Sequence, residues 1–296
     1  MKKKIVLMLT VIMLIGLAGC GKNQINIKET GTSDNNEQMV QNIYENKRTE
    51  VKQKISEIKE RLPETSAEDK GTCGSKAKWY YKDNTLIIYG EGVITEDTWH
   101  KSNIVINTVV IDSGITKLGN NMFSGLGSEV GKNIENFYIA DGLEEIGSST
   151  FVNCDCLSEI VLPPSLYFID GYTFASCDSL KNVYMTDGVE KIGDSAFTGC
   201  KSLDSIFIPK TVLAIGNGVF TGCNNLSDIQ ISKDNRIFSE KNNCIINNDT
   251  KTLIYAINKD FSIPDDILCI AEDAIYGCEI DSLVIPEGVK EIEERA

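Results

Sequence analysis

The stretch VEKIGDSAFTGCKSLDSIFIP, residues 189–209, carries a pattern that recurs every 23 residues along this chain of 296 residues. Four successive copies keep an isoleucine, a phenylalanine, a cysteine and a leucine at equivalent positions. In chain order these are Ile146, Phe151, Cys154 and Leu157; Ile169, Phe174, Cys177 and Leu180; Ile192, Phe197, Cys200 and Leu203; and Ile215, Phe220, Cys223 and Leu226. Self-similarity at a fixed period of this length predicts a solenoid of stacked turns.

One copy of the pattern predicts three short segments, of which the first two are joined by a turn. Residues 180–185 alternate as in a β-strand, 186–188 form a turn, 189–193 give a second short strand, and 194–200 close one helical or 3₁₀ turn. Such a unit cannot bury its apolar face alone, so its neighbours must stack on it. We therefore predict a repeat solenoid of the α/β leucine-rich-repeat type, with stacked short strands and one short helical turn per repeat.

The first 20 residues predict export and a lipid anchor. Three lysines precede an apolar run, residues 5–17, which is too short to span a bilayer. Small residues then lead to Cys20, as at the end of a signal peptide. Leu17–Cys20 resembles the bacterial lipobox, which implies a covalent diacylglycerol on Cys20 and a place in the cell envelope, on the outer face of a bacterial membrane. Ordinary secretion with a chance cysteine is the alternative.

An amphipathic helix is predicted at 37–63. Its apolar residues fall at steps of three and four, with a lysine at one position of the stripe, and Pro63 ends it. We interpret it as a spacer helix rather than as half of a short coiled coil, because the apolar seam is brief and interrupted.

The predicted organisation has six parts. They are a lipoprotein signal peptide (1–19), a flexible tether (20–36), the spacer helix (37–63), a linker (64–72), an N-terminal capping hairpin region (73–103), and the solenoid (104–296) with a hairpin insertion at about 235–260. The repeat register places Ala296 one residue before the next core aromatic. We therefore expect the chain to be part of a longer protein.

Charge and composition exclude several classes of function. The chain carries 29 Lys and Arg against 43 Asp and Glu, a formal net charge of −14. This acidity opposes binding to nucleic acid. The single histidine, His100, leaves little material for a histidine-based catalytic or metal site. The sequence predicts no enzyme and no cofactor apart from the lipid.

The ten cysteines of an exported chain raise the question of disulfides. The repeat explains five of them as small buried apolar residues, whose Cβ vectors run parallel into the core. These ladder cysteines are Cys154, Cys177, Cys200, Cys223 and Cys278. We expect free thiols there. Cys156 lies off the ladder and is expected to be exposed, whereas the redox states of Cys156 and Cys73 are left open.

The first strand of each unit also predicts a binding surface. Outward residues alternate with inward ones, and the outward position between two core residues is apolar or aromatic in successive units. Exposed apolar patches with polar rims often mark contact sites, although large side chains here could merely satisfy β-propensity. The candidate ligand-binding residues are Tyr138, Val161, Tyr184, Phe207 and Gln230.

The units closely resemble the BspA-type leucine-rich repeats of bacterial surface proteins, as residues 189–209 illustrate. The insertion at 231–267 looks like a hairpin module of that family, and the segment from Cys73 to Gly92 is similar to its N-terminal strand pair. The resemblance covers roughly residues 73–296. It implies surface display and adhesion to matrix proteins or other cells, without catalytic residues.

We therefore predict a membrane-anchored bacterial surface protein whose repeat domain mediates adhesion or binds an extracellular protein or glycan. Two alternatives stay open: a structural envelope protein that self-associates, and the binding half of a larger envelope enzyme. The oligomeric state and the ligand's identity stay open too.

Overall fold

The structure, a computed structural model, describes residues 33–101, 104–125, 129–257, 261–278 and 280–296. The expected signal peptide, the lipidation site Cys20 and most of the expected tether lie outside these residues. Within them, no helix is both long and apolar enough to cross a membrane.

The regular secondary structure of the described chain consists mostly of short strands, joined by turns. Helices are α1 (Ser33–Arg61) and α2 (Glu129–Lys132), with 3₁₀ turns at Glu64–Ser66 and Thr98–Lys101. The strands are β1 (Asp69–Thr72), β2 (Lys76–Lys82), β3 (Thr85–Ile94), β4 (Thr108–Ile111), β5 (Ile115–Leu118), β6 (Asn136–Ile139), β7 (Glu145–Ile146), β8 (Glu159–Val161), β9 (Phe168–Ile169), β10 (Asn182–Tyr184), β11 (Lys191–Ile192), β12 (Ser205–Ile208), β13 (Ala214–Ile215), β14 (Asp228–Ile231), β15 (Phe238–Lys241), β16 (Cys244–Asn247), β17 (Thr252–Ala256), β18 (Cys269–Ile270) and β19 (Glu291–Ile292).

The strands stack in two parallel columns, which confirms the predicted solenoid. The first column runs β3–β4–β6, β8–β10 and β12–β14, with its hydrogen bonding interrupted between these three groups. The second column is continuous through β3–β5–β7–β9–β11–β13. Strand β3 serves both, since residues 85–88 pair with β4 and residues 92–94 with β5. Gly90 and Gly92 lie in the left-handed region there, with φ of 104° and 87°.

The core is a row of aromatic rings, one from each turn. Trp99, Phe123, Phe151, Phe174, Phe197 and Phe220 stack with centroids 5.1–5.9 Å apart and with rings within 13° of parallel. All six side chains are fully buried. Burying a side chain of this size contributes about 1.5–3 kcal/mol, so each ring of the row stabilises the stacking of its turn on its neighbours.

The ladder cysteines fill space in the core and also donate hydrogen bonds. The Sγ atoms of Cys177, Cys200 and Cys223 each donate a hydrogen bond of 3.0 Å to the carbonyl of the core phenylalanine in the preceding turn. Cys154 does the same at 3.2 Å. Three of these carbonyls also accept a backbone N–H, as Phe151 O does from Cys154 at 3.1 Å, so the thiol is a second donor to an oxygen that has two lone pairs.

The third segment of each repeat is a series of tight turns. Two positions per repeat adopt positive φ, for example Ser195 (54°) and Gly199 (71°), which keeps the segment from continuing as a helix. The segments still stack through backbone bonds from turn to turn, such as Phe174 N–H to Ala196 O at 2.8 Å.

Antiparallel strands flank the regular turns. Strands β1–β2–β3 form the N-terminal cap, where Trp79 meets Trp99 edge to face at 6.4 Å. Strands β15–β16–β17 form the insertion after β14, and β17 then pairs in parallel with β18, which restarts the stack. Within the described ranges, no parallel strand follows β14 in the first column.

Helix α1 extends the predicted 37–63 span at its start and lies along the outer surface of the first column. Its apolar stripe, Tyr44, Val51, Ile55, Ile58 and Leu62, is buried at that surface. Each such residue contributes about 1.5–3 kcal/mol on burial, against 0–1 kcal/mol for a surface ion pair. Apolar contact therefore holds the helix in place.

Candidate binding face

The outer surface of the first column, here called the strand face, carries the five candidate ligand-binding residues. The expectation that they form one exposed stripe is wrong, because α1 covers part of it. Val161 is only 4% exposed, and Tyr138 and Tyr184 pack against the apolar cluster beneath the helix. Phe207 and Gln230 are half-buried like the two tyrosines, but they lie beyond that cluster. The five residues are therefore divided between a covered and an open region.

A proline explains how α1 is seated. In two other turns the residue after the first strand donates its N–H to the carbonyl of the preceding turn, as Ala140 does to Ile111 O and Ser232 to Ile208 O, both at 2.9 Å. The equivalent of Ala140 in the next turn is Pro163, which has no N–H. The carbonyl of Ile139 instead accepts a hydrogen bond of 2.9 Å from Nη1 of Arg48. Arg48 of the helix thus supplies the hydrogen-bond donor that the strand ladder lacks at Pro163.

Two further hydrogen bonds from α1 lie beside this contact. Arg48 also binds Asp141 through Nη2, and its side chain is only 4% exposed. The hydroxyl of Tyr44 donates a bond of 2.8 Å to the carbonyl of Leu162, and burial raises the pKa of that hydroxyl. These groups lie inside an apolar interface, where an unpaired polar atom costs about 1–3 kcal/mol. They fix the register of the helix on the strand face.

Charge at the edge of this interface supports the same placement. Lys47 donates to both carboxylate oxygens of Glu159, at 3.0 and 3.1 Å, and its Nζ lies 5.5 Å from the ring centroid of Tyr184. Burial acts to lower the pKa of Lys47, but Glu159 outweighs it, so the pKa is raised. Burial, then the charge of Glu159, raises the pKa of Tyr184.

A second proline marks the border of the covered region. Pro209 occupies the same repeat position as Pro163, and the strand ladder is interrupted again between β10 and β12. A cavity of about 60 Å³ lies there, lined by Val40 and Ile43 of α1 together with Met185 and Phe207. Packing between the helix and the strand face is thus looser here than at Pro163.

The open region continues into a cleft of about 610 Å³ between β14 and β15. Gln230 and Phe207 line one side, and residues 238–240 line the other. The first turns of α1 reach the rim, where Ser232 donates a hydrogen bond to Glu37. We call this the β14–β15 cleft.

No group of three or more His, Cys, Asp or Glu side chains among the described residues could hold a metal ion. His100 lies in the cap, with Nδ1 2.7 Å from an oxygen of Asp97, and its ring packs against Trp99. Cys156 is exposed, whereas Cys73 is buried, and burial raises the pKa of Cys73 to about 12.

Sequence reasoning missed Arg48 and the β14–β15 cleft. Arg48 falls between Tyr44 and Val51 on the apolar stripe of α1, and a charged residue on such a stripe could have signalled a buried partner. The prolines 163 and 209, which interrupt a position that otherwise donates an N–H, were a second signal.

The family of the chain follows from its repeats. A model of the BspA type leucine rich repeat region matches six copies, over residues 129–249 and 254–296, which make up more than half of the chain. The chain therefore belongs to the family of proteins with BspA-type leucine-rich repeats. A search of curated proteins finds no match.

Several solved structures share the fold. A leucine-rich repeat protein from Eubacterium ventriosum has a TM-score of 0.67 and 21% identity, over 76% of this chain and 62% of its own. A leucine rich cell surface protein from Faecalibacterium prausnitzii has 0.56 and 21%, over 77% and 73%. The pneumococcal vaccine antigen PcpA has 0.57 and 16%, over 77% and 67%. This chain spans less than two thirds of the first of these proteins.

Proposed function

We propose that this protein is a binding protein of the bacterial cell surface, and that the open region of its strand face contacts an extracellular protein or glycan. The observation that carries the proposal is the contrast on that face. Phe207 and Gln230 are half-buried and line a large cleft, whereas Val161 is buried and Tyr138 and Tyr184 pack against the apolar cluster beneath α1. An aromatic residue beside polar groups is a frequent anchor at interfaces.

The family of repeat proteins to which the chain belongs supports a binding role. The formal charge of −14 favours partners other than nucleic acid. We further propose that the mature chain is held on the outer face of a membrane by a diacylglycerol on Cys20, as its likeness to the lipobox suggests. Two acyl chains suffice for stable anchoring.

The binding proposal is tested with the full chain against immobilised matrix proteins, host glycans and cell-wall polymers. We expect the variant Phe207→Ala/Gln230→Ala to lose at least about tenfold in affinity for any ligand found, since anchors at interfaces contribute about 2 kcal/mol or more. The matched control is Tyr167→Ala, an exposed aromatic beside the second column. Equal loss in both variants, or no ligand among the probes, would count against the proposal.

The anchoring proposal has its own test. In a bacterial host, the native chain should label with radioactive palmitate and sediment with membranes, and Cys20→Ala should do neither. Release of the native chain into the medium would contradict the anchor without affecting the binding proposal.

A further inference from the structure

We propose that the β14–β15 cleft binds an extended peptide segment by strand addition to β14, with a basic side chain of the peptide against the acidic rim of the cleft. This inference names the partner class for the proposed binding function and rests on it. Three observations carry it: the free edge of β14, the free edge of β15, and the charge of the rim.

Among the residues that the structure describes, strand β14 is hydrogen-bonded on one side only, to β12. The bond from Ser232 N–H to Ile208 O sets the alternation of the strand, so that the backbone groups of Gln230 face β12 and those of Ile229 and Ile231 face away. In an earlier turn the equivalent outward carbonyl, that of Ile111, bonds the following strand. Within the described residues, the outward groups of Ile229 and Ile231 have no such partner.

Strand β15 presents a second free edge across the cleft. In the described part of the chain it pairs with β16 alone, and the bond from Asn248 N–H to Ile237 O places the pairing groups on alternate residues. The groups of Phe238 and Glu240 therefore face away from β16. The N–H of Phe238 donates a hydrogen bond of 2.8 Å to Oδ1 of Asn235. The groups of β15 that can pair with a peptide are therefore the carbonyl of Phe238 and the N–H and carbonyl of Glu240.

A row of alternating backbone donors and acceptors matches another extended backbone, because that is what strands pair with. A glycan offers hydroxyl groups without this regular spacing. The volume of about 610 Å³ lies within the range of ligand clefts. Three acidic residues, Glu37, Asp228 and Glu240, line the cleft against one basic residue, Lys233. The rim therefore favours a peptide with lysine or arginine.

The first experiment is a screen of the full chain against an array of random linear peptides of roughly ten residues, the upper length of ordinary strands. We expect binders enriched in Lys and Arg. Amide hydrogen exchange then locates the contact. In the complex, the amides of Ile229 and Ile231 should exchange at least about tenfold more slowly, whereas that of Gln230, already paired with β12, should change little.

Variants separate the backbone contact from the side chains. Ile231→Pro removes one outward N–H without taking a bond from the ladder, and we expect it to weaken peptide binding about tenfold. Ile231→Val keeps the N–H and is the matched control. Glu240→Lys should lower affinity for basic peptides and shift the array towards acidic ones. If Ile231→Pro does not fold, the exchange measurement on the native chain still decides.

Four outcomes would overturn the inference. They are an array without binders, binding that leaves the amides of Ile229 and Ile231 unprotected, protection of these amides by a second copy of the chain, and equal affinity of Ile231→Pro and Ile231→Val. A matrix or glycan ligand that depends on Phe207 and Gln230 but not on Ile231 would leave the proposed function intact while refuting strand addition.

Discussion

The two regions of the strand face carry similar residues and have different surroundings. In the covered region, Val161 and its neighbours lie beneath α1, which binds the carbonyl that Pro163 leaves free. In the open region, Phe207 and Gln230 occupy the same repeat position, yet the helix leaves a cavity beside them and the ladder ends at β14. The comparison teaches that side-chain type does not make a binding surface here. What matters is which backbone groups already have a partner.

The strongest test of this difference is Arg48→Ala. The substitution leaves the carbonyl of Ile139 without its donor in an apolar interface and removes one partner of Asp141. We expect a loss of about 2–4 kcal/mol in the free energy of unfolding, measured with urea. The control is Lys52→Ala, because Lys52 pairs with the same carboxylate but is 59% exposed. It should cost less than about 1 kcal/mol. Equal losses would mean that the buried contacts of Arg48 do not fix the helix.

The next test compares one repeat position on both sides of the border. Val161→Ala removes two methyl groups under α1 and should destabilise the protein by about 2 kcal/mol. Gln230→Ala, at the equivalent position of the open region, should change stability by less than about 0.5 kcal/mol. Thermal unfolding of both variants measures this. A comparable loss at Gln230 would show that the open region also supports the fold.

Much of this architecture is predictable from sequence, and the reasons differ by element. The solenoid follows from Phe151 and its successors, because a local repeat dictates its own stacking. Helix α1 follows from the stripe that includes Tyr44 and Val51. The partner of that stripe does not follow, since Tyr44 and Leu162 are 118 residues apart and either apolar surface could have faced another molecule. The exposure of Val161 was mispredicted for this reason.

The β14–β15 cleft could not be predicted from the sequence for a similar reason. Its residues read as the end of one repeat and the start of an insertion, and neither segment alone shows that their two edges face each other. The cleft depends on where the insertion folds, and the pattern of 23 residues does not encode this. Phe207 and Gln230 were found because they lie in the repeat, whereas Glu240 lies outside it.

The role of Pro163 can be isolated with a double-mutant cycle. Pro163→Ala restores an N–H that can reach the carbonyl of Ile139, as Ala140 does one turn earlier. Arg48→Ala should therefore cost about 1 kcal/mol less in the Pro163→Ala background than in the native chain. Urea unfolding of the four proteins gives the coupling energy. Additive effects would show that Arg48 does not replace the missing ladder bond.

The smallest expected effect concerns pH. Burial acts to raise the pKa of Asp141, but hydrogen bonds from Lys52 and Arg48 outweigh it and leave the pKa below its ordinary value of 3.8. A carboxylate with a lowered pKa in the folded state adds stability that is present above the unfolded value and is lost as pH falls through the folded one. Because the side chain of Asp141 is 44% exposed, the contribution is about 0–1 kcal/mol.

The native chain should therefore exceed Asp141→Asn in stability at pH 6, and the difference should shrink as pH falls below about 4. Amide exchange in α1, followed at pH 6 and at pH 3, reports the stability of the helix on the strand face directly. A difference that persists unchanged at pH 3 would mean that the geometry of Asp141, and not its charge, holds Arg48 in place. The covered region would then depend only on apolar packing and on the hydrogen bond from Arg48 to the carbonyl of Ile139.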